Sequence, residues 1–386
     1  MKLSTLLVRS GINKQDATGA ISTPIYHSAT FMHRGLGLST GFDYSRTQNP
    51  TRLQLEKAIT QLEGGVDSLA FSSGMAAITA ILTLFNPGDH IIISDDVYGG
   101  TYRVFDHVFS KYQLAFDCVD ISDTENILKA LKPNTAAIFI ETPTNPMMKI
   151  ADVKKIVDIC KRHNLICIFD NTFLSVYLFR PLEIGVDIVI ESATKYLSGH
   201  NDVLAGIVST AREDLAEKLR FIQNTTGAVL SPTDSWLLLR GLKTLGIRLD
   251  RQQYNAMKIA QWLAKRPEIT RVLYPGLPQH PGHHILKDLA RGFGAMISFE
   301  VKDKTMVKTV LENLKIISFA ESLGGVESLI TYPIEQTHKD VPDELRKKIG
   351  LNDRLLRLSV GIEDSEDLIM DLQQALQCKP SHTQEV

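Results

Sequence analysis

Three short stretches carry residues that could share one reaction. Residues 191–202 read ESATKYLSGHND and follow the apolar run 186–190, VDIVI. Lys195 therefore stands just past what the pattern predicts to be a buried strand, among Ser192, Thr194 and Ser198. An amine placed there can form a Schiff base with a carbonyl compound. Asp170 closes a second apolar run, LICIFD, where it could cap a turn through Asn171 and Thr172 or face a cationic ligand atom. At ~4 Å and an effective dielectric of ~20, such a pair attracts by roughly 4 kcal/mol, enough to keep a weakly basic ring nitrogen protonated. The stretch 71–82, FSSGMAAITAIL, opens a helix with small residues. Its free N–H groups and dipole could hold a phosphate, and close packing would explain Ser72, Ser73 and Gly74 equally well. Amine, carboxylate and phosphate cradle together point to pyridoxal phosphate.

These residues need a frame that brings strand ends together. Strand-like runs at 90–94, 136–141, 165–170 and 186–191 alternate with helical segments, the signature of a parallel sheet covered by helices. Between two of them Val153, Ile156, Val157 and Cys160 fall at the spacing of one helical face. Near-continuous Ile and Val imply strands covered on both faces, as in a doubly wound sheet, whose ligands bind beyond the carboxyl ends. Glu141, Asp170 and Glu191 each end a strand run at that edge. The helical stretch 51–65 has Leu55, Ile59 and Leu62 on one face and stops at Gly64-Gly65. Residues 1–50 lack this rhythm and read as an arm, 51–248 as the α/β domain, and 249–386 as a smaller α+β domain closed by a helix carrying Leu368, Ile369, Leu372 and Leu376.

Composition narrows the function. The chain has 386 residues, 42 basic and 44 acidic side chains, and a formal charge of -2, with no long basic run to suggest nucleic acid. No stretch approaches the ~18 consecutive apolar residues of a membrane helix, and the opening ten residues lack a secretory apolar segment, so a cytoplasmic protein is expected. Cys118, Cys160, Cys167 and Cys378 form no C-x-x-C pair and read as buried thiols. His280, His283 and His284 lie in a Pro/Gly-rich turn without acidic or cysteine partners, so a solvated loop is expected and no metal is assigned. GLGLSTG has the wrong spacing for a dinucleotide fingerprint and follows no strand.

The ordered segments DYSRTQNPTR, FSSGMAAI, DVYGGTYR, ETPTNP, DNTF, SATKYLSGHND, SLGGVESL and LLRLSVG resemble the Cys/Met metabolism family of pyridoxal-phosphate enzymes, fold type I, across nearly the whole chain. The resemblance implies that Lys195 carries the cofactor and shuttles protons, Asp170 pairs with the pyridine nitrogen, and Tyr98 stacks on the ring. It implies Gly74, Met75, Ser192 and Thr194 around the phosphate, with Tyr44 and Arg46 reaching it from a neighbouring subunit. Arg357, helped by Ser322 and Asn145, would clamp the substrate α-carboxylate. The active unit would then be at least a dimer, usually a homotetramer built as a pair of dimers, acting on small amino acids.

A site of this kind can serve γ-replacement, γ-lysis or β-lysis. In cystathionine γ-lyases a glutamate commonly stands two residues before the proline of the segment after SLGG, facing the distal end of the substrate. Here that position is Thr331, in ITYP. This stretch and STGFDYSRTQNPTR are similar to bacterial γ-synthases that use an acylated homoserine. The expectation is therefore cystathionine γ-synthase activity, with sulfide also accepted in place of cysteine, and a γ- or β-lyase as the alternative.

Overall fold

A computed structural model describes residues 1–13, 16–339 and 341–378. The larger layer is a seven-stranded sheet of β1 (Asp67–Phe71), β2 (His90–Ser94), β3 (Ala115–Val119), β4 (Thr135–Glu141), β5 (Ile166–Asp170), β6 (Ile188–Glu191) and β7 (Gly206–Thr210). The order is β1-β7-β6-β5-β4-β2-β3, and β7 alone runs against its neighbours. Strands β2 and β6 are buried end to end and β5 at every residue after Ile166, which requires cover on both faces. One face packs on the helices Pro50–Glu63 and Val153–His163, the other on Gly74–Leu82 and Glu213–Thr226. This is the mostly parallel α/β architecture of fold type I.

Local chemistry sets these elements. Asn49 caps the helix Pro50–Glu63 by accepting from the N–H of Thr51 at 2.9 Å, and Pro50 at its first position needs no donor. The helix stops at Gly64, whose φ of 71° is left-handed. Val153, Ile156, Val157 and Cys160 are all buried, as their spacing demands.

A second, five-stranded sheet joins β8 (Ile269–Leu273), β9 (Met296–Val301), β10 (Ser318–Phe319), β11 (Leu329–Thr331) and β12 (Leu355–Ser359) in the order β10-β11-β12-β9-β8. The helix Ser365–Gln377 covers it with Leu368, Leu372 and Leu376. Between the sheets the helix Leu245–Leu263 begins earlier than the stretch 251–265 suggests and runs through residue 248. Arg248, within that helix, donates to the carbonyls of Tyr196 and Gly241, so this helix braces the loop that carries Lys195.

Two expectations need correction. Residues 1–50 are not uniformly an arm outside the core: Leu3–Val8 is a helix whose Leu3 and Leu7, four residues apart on one face, are buried. Nor do His280 and His283 belong to a solvated loop, although His284 is exposed. His280 and His283 are 8% exposed; His283 stacks on Phe293 at 4.9 Å and donates from Nδ1 to the Pro275 carbonyl. The apolar faces of the imidazoles let them pack where a charged side chain would not.

Candidate active site

The carboxyl ends of β4, β5 and β6 open into a cavity of about 350 Å³. Its walls include Gly74 and Met75 from one helix start, Tyr98, Asn145, Asp170, Ser192, Thr194 and Lys195, with Ser322 and Arg357 closing it from the second sheet. Ten of the thirteen residues read from the sequence thus meet at one place. Glu141, Phe173, Leu204, Glu321 and Thr337 line it as well and were given no role there. Glu141 was visible only as a strand-end acid; Leu204, Glu321 and Thr337 carry no local signal.

Lys195 Nζ donates to Ser322 Oγ at 2.8 Å. Burial, with the Arg357 charge nearby, pulls its pKa down to about 8. A useful fraction is therefore a free amine near neutral pH, the form that attacks carbonyls and accepts protons. Ser322 holds a backbone φ of 107° and presents both its hydroxyl to Lys195 and its carbonyl to Arg357.

Asp170 is buried, and burial raises its pKa, while the Thr172 hydroxyl and N–H lower it. The capping role holds too, since Thr172 N donates to Oδ1 at 3.0 Å. No basic side chain pairs with Asp170 among the described residues, so its carboxylate is free to face a cationic ring nitrogen. At the start of the helix Gly74–Leu82, Ser73 Oγ accepts from Ala76 N at 3.0 Å. The N–H groups of Gly74 and Met75, at the first two helical positions, have no partner within the helix. Ser192 presents its hydroxyl beside them, and Gly206 lets β7 pass close, since a Cβ there would lie 2.3 Å from the Ser73 carbonyl. Thr194 is more committed, exchanging bonds with the backbone of Ala205 at 2.9 and 3.2 Å. These donors fit a phosphate, and with Lys195 and Asp170 they fit pyridoxal phosphate.

Tyr98 is 39% exposed to the cavity and is held through its N–H, which donates to Glu141 Oε2 at 2.9 Å. Arg357 is fully buried, and desolvation lowers its pKa to about 10. Its Nη1 donates to Asn145 Oδ1 at 2.7 Å and its Nη2 to the Ser322 carbonyl and Thr331 Oγ1, both at 3.2 Å. Nε has no partner, so a buried donor with a full charge is left for an anion.

Three expected residues are not in the wall. Thr331 is 1% exposed and spends its hydroxyl on Arg357 and the Ala320 carbonyl. It therefore cannot meet the distal end of a substrate, because its side chain lies behind the guanidinium. Tyr44 and Arg46 lie on the outer surface, where Arg46 Nη1 donates to Asn224 Oδ1 at 3.1 Å and packs over the Tyr44 ring.

Residues 4–377 match the model of one family, described as Cys/Met metabolism PLP-dependent enzyme. This chain belongs to that family. It is 51% identical over 377 residues, 98% of this chain and 100% of the relative, to a cystathionine gamma-lyase of Bacillus subtilis (strain 168). It is 52% identical over 374 residues, 97% of this chain and 96% of the relative, to a cystathionine gamma-synthase/O-acetylhomoserine (thiol)-lyase of the same organism. The crystal structure of a cystathionine gamma-lyase from Lactobacillus plantarum complexed with L-serine superposes with a TM-score of 0.95 at 45% identity, covering 97% of this chain and 98% of that one. The protein is thus a pyridoxal-phosphate-dependent enzyme of cysteine and methionine metabolism with the fold type I architecture. Among the described residues no helix is long and apolar enough to cross a membrane, and no group of three His, Cys, Asp or Glu side chains could hold a metal ion.

Proposed function

We propose that this enzyme catalyses γ-replacement: an O-acylhomoserine and cysteine give cystathionine and a carboxylate, with sulfide as a second acceptor. The observation that carries the reaction class is the pairing of an amine of lowered pKa, Lys195, with the buried Arg357 across one cavity. Arg357, with Asn145 and Ser322 fixing its fork, binds the substrate α-carboxylate. That clamp sets Cα toward Lys195 Nζ, which accepts the Cα proton. Pyridoxal phosphate, when bound, supplies the electron sink that makes this proton acidic. Asp170 keeps the ring nitrogen protonated, while Gly74, Met75, Ser192 and Thr194 hold the phosphate and Tyr98 covers the ring. Lys195 also takes a proton from Cβ, the acyloxy group departs from Cγ as a carboxylate, the thiolate forms the new S–Cγ bond, and Lys195 returns one proton to Cβ and one to Cα, which restores the hydrogens of the product.

Tyr44 and Arg46 of a neighbouring copy complete the phosphate cradle, in an assembly of at least two chains and, by family pattern, a tetramer. Their exposure and their distance from this chain's own cavity support that reading. On the domain level, 51–248 carries the cofactor and 249–386 closes the site, with the helix Leu245–Leu263 crossing the division, and within 1–50 it is the stretch after the helix Leu3–Val8 that serves the neighbour. Activity resides in the cytoplasm in this reading.

The choice of synthase rests on the similarity to the γ-synthase/thiol-lyase relative and on the segment running through ITYP. The second reading is a γ-lyase, favoured by the equally extensive similarity to the Bacillus γ-lyase. A competitive assay decides between them. The purified enzyme is given O-acetyl- or O-succinylhomoserine with cysteine, and cystathionine alone. Faster formation of cystathionine supports the synthase; faster release of 2-oxobutanoate or pyruvate from cystathionine overturns it in favour of a lyase.

A further inference from the structure

Two of the strand-end acids take no part in the reaction above, and one of them lies on the wrong face to do so. In the parallel pair β5–β6, Asp170 is level with Ile190, so Glu191 is the next residue along and points to the opposite face of the sheet. Asn171, one past Asp170, points the same way, and its Nδ2 donates to Glu191 Oε1 at 3.1 Å and to the Phe179 carbonyl at 3.0 Å. The last residue of the helix Pro50–Glu63 meets them there. Glu63 is 1% and Glu191 2% exposed, and their carboxyls are within hydrogen-bonding reach of each other.

Two carboxylates offer only acceptors, so a bond between them requires a hydrogen. The surroundings do not neutralise two charges. Arg180 is the cation facing Glu63, and it is tied to Glu183 through Nη1. The charged groups facing Glu191 are Glu63 and Asp170, both acidic, and Asn171 supplies its one neutral donor. Burial, first of all, raises both acids above the ordinary carboxylate range; Glu63 raises Glu191 further, whereas the bond to Glu191 and then the Arg180 charge lower Glu63 without cancelling the effect of its burial.

We propose that Glu63 and Glu191 form a proton-sharing carboxyl pair on the back of the sheet that, through Asn171, positions Asp170 and Ser192 for the cofactor. Asp170 and Asn171 are adjacent, as are Glu191 and Ser192, so the pair fixes both strand ends from behind. Ser192 N also donates to Thr172 Oγ1 at 2.9 Å, which links the same two ends in front. Glu63 and Glu191 are positioning residues and touch no substrate. The positioning half rests on the assignment of Asp170 and Ser192 to the cofactor.

The test uses the full chain with Glu63→Gln, Glu63→Leu and Asp170→Ala. Glutamine supplies a permanent hydrogen to Glu191; leucine fills the space and supplies none. In the wild type the folded pair holds more protons than the unfolded chain, so stability falls as pH rises above the ordinary glutamate pKa of about 4.3 until the pair ionises. The Tm of the Glu63→Gln holoenzyme should therefore rise above that of the wild type, by an amount that grows between about pH 5 and pH 8. Its affinity for pyridoxal phosphate, read from the absorbance of the lysine-linked cofactor, should stay within about twofold, whereas Glu63→Leu should bind roughly tenfold more weakly. A Glu63→Gln variant that fails to fold, or whose Tm runs parallel to that of the wild type across pH, overturns proton sharing. Equal cofactor affinity in Glu63→Leu and the wild type overturns the positioning role. In that event Asp170→Ala locates the failure: lost affinity there leaves the cofactor assignment standing, and unchanged affinity removes that assignment as well.

Discussion

Thr331 and Arg357 are direct cross-strand partners of β11 and β12, and the guanidinium donates from Nη2 to the threonine hydroxyl at 3.2 Å. Thr331 therefore acts on Arg357, the residue proposed above to clamp the substrate carboxylate. Thr331→Val keeps the volume and deletes the bond, leaving Arg357 Nη2 with the Ser322 carbonyl alone. The cost of an unmet bond to a buried charge is about 1 kcal/mol or more, roughly a fivefold rise in KM for the amino-acid substrate. Arg357→Lys loses the planar fork altogether and should raise KM by roughly 30-fold. Steady-state kinetics on both variants check this, with cofactor affinity expected to stay at the wild-type value.

The parts of this site that were legible in the sequence are those whose signal is local. Lys195, Asp170 and Gly74 each adjoin an apolar run or a helix start, so their place at a strand or helix end follows from the pattern. The direction of a side chain does not. Thr331 was legible as a substitution, yet only the β11–β12 register turns it toward Arg357. Glu321, Leu204 and Thr337 reach the cavity because distant segments fold over it. The same holds for His280 and His283, which a turn-rich composition places in solvent and tertiary packing encloses.

Lys195 has two consequences that can be measured apart. Lys195→Ala should abolish the yellow lysine-linked absorbance and reduce turnover by at least roughly a thousandfold, since both nucleophile and proton acceptor are lost. The pKa of about 8 fixes the pH dependence in the wild type. Below it the amine is protonated and unreactive. The rate at which the cofactor-free chain takes up pyridoxal phosphate should therefore climb by about tenfold per pH unit and level off above about pH 8. A rate that falls with rising pH over that range would contradict the amine's role.

Glu321 stands exposed at the mouth of the cavity, near both Lys195 and Arg357. In the γ-replacement proposed above, a carboxylate there suits the ammonium group of the cysteine acceptor. Exposed ion pairs contribute about 0.2–1 kcal/mol, so Glu321→Gln should raise KM for cysteine by roughly 1.4- to fivefold. Sulfide carries no ammonium group, and its KM should be unchanged. Comparing the two acceptors in one variant separates recognition of the amine from a general effect on the pocket.

Sharing of the site between chains has a test of its own. Arg46 lies away from its own chain's cavity, bonded to Asn224, whereas Lys195 lies inside it. If Arg46 serves the neighbour, Arg46→Ala weakens phosphate binding and Lys195→Ala removes the amine, so each homomer is impaired for a different reason. Mixed oligomers then contain sites with Lys195 from the Arg46→Ala chain and Arg46 from the Lys195→Ala chain. Such a site is intact, while its twin carries both defects. Unfolding and refolding the two variants together should recover activity in excess of the two separate preparations, at limiting pyridoxal phosphate. A mixture no more active than the average of its parents would mean that each cradle is completed within one chain.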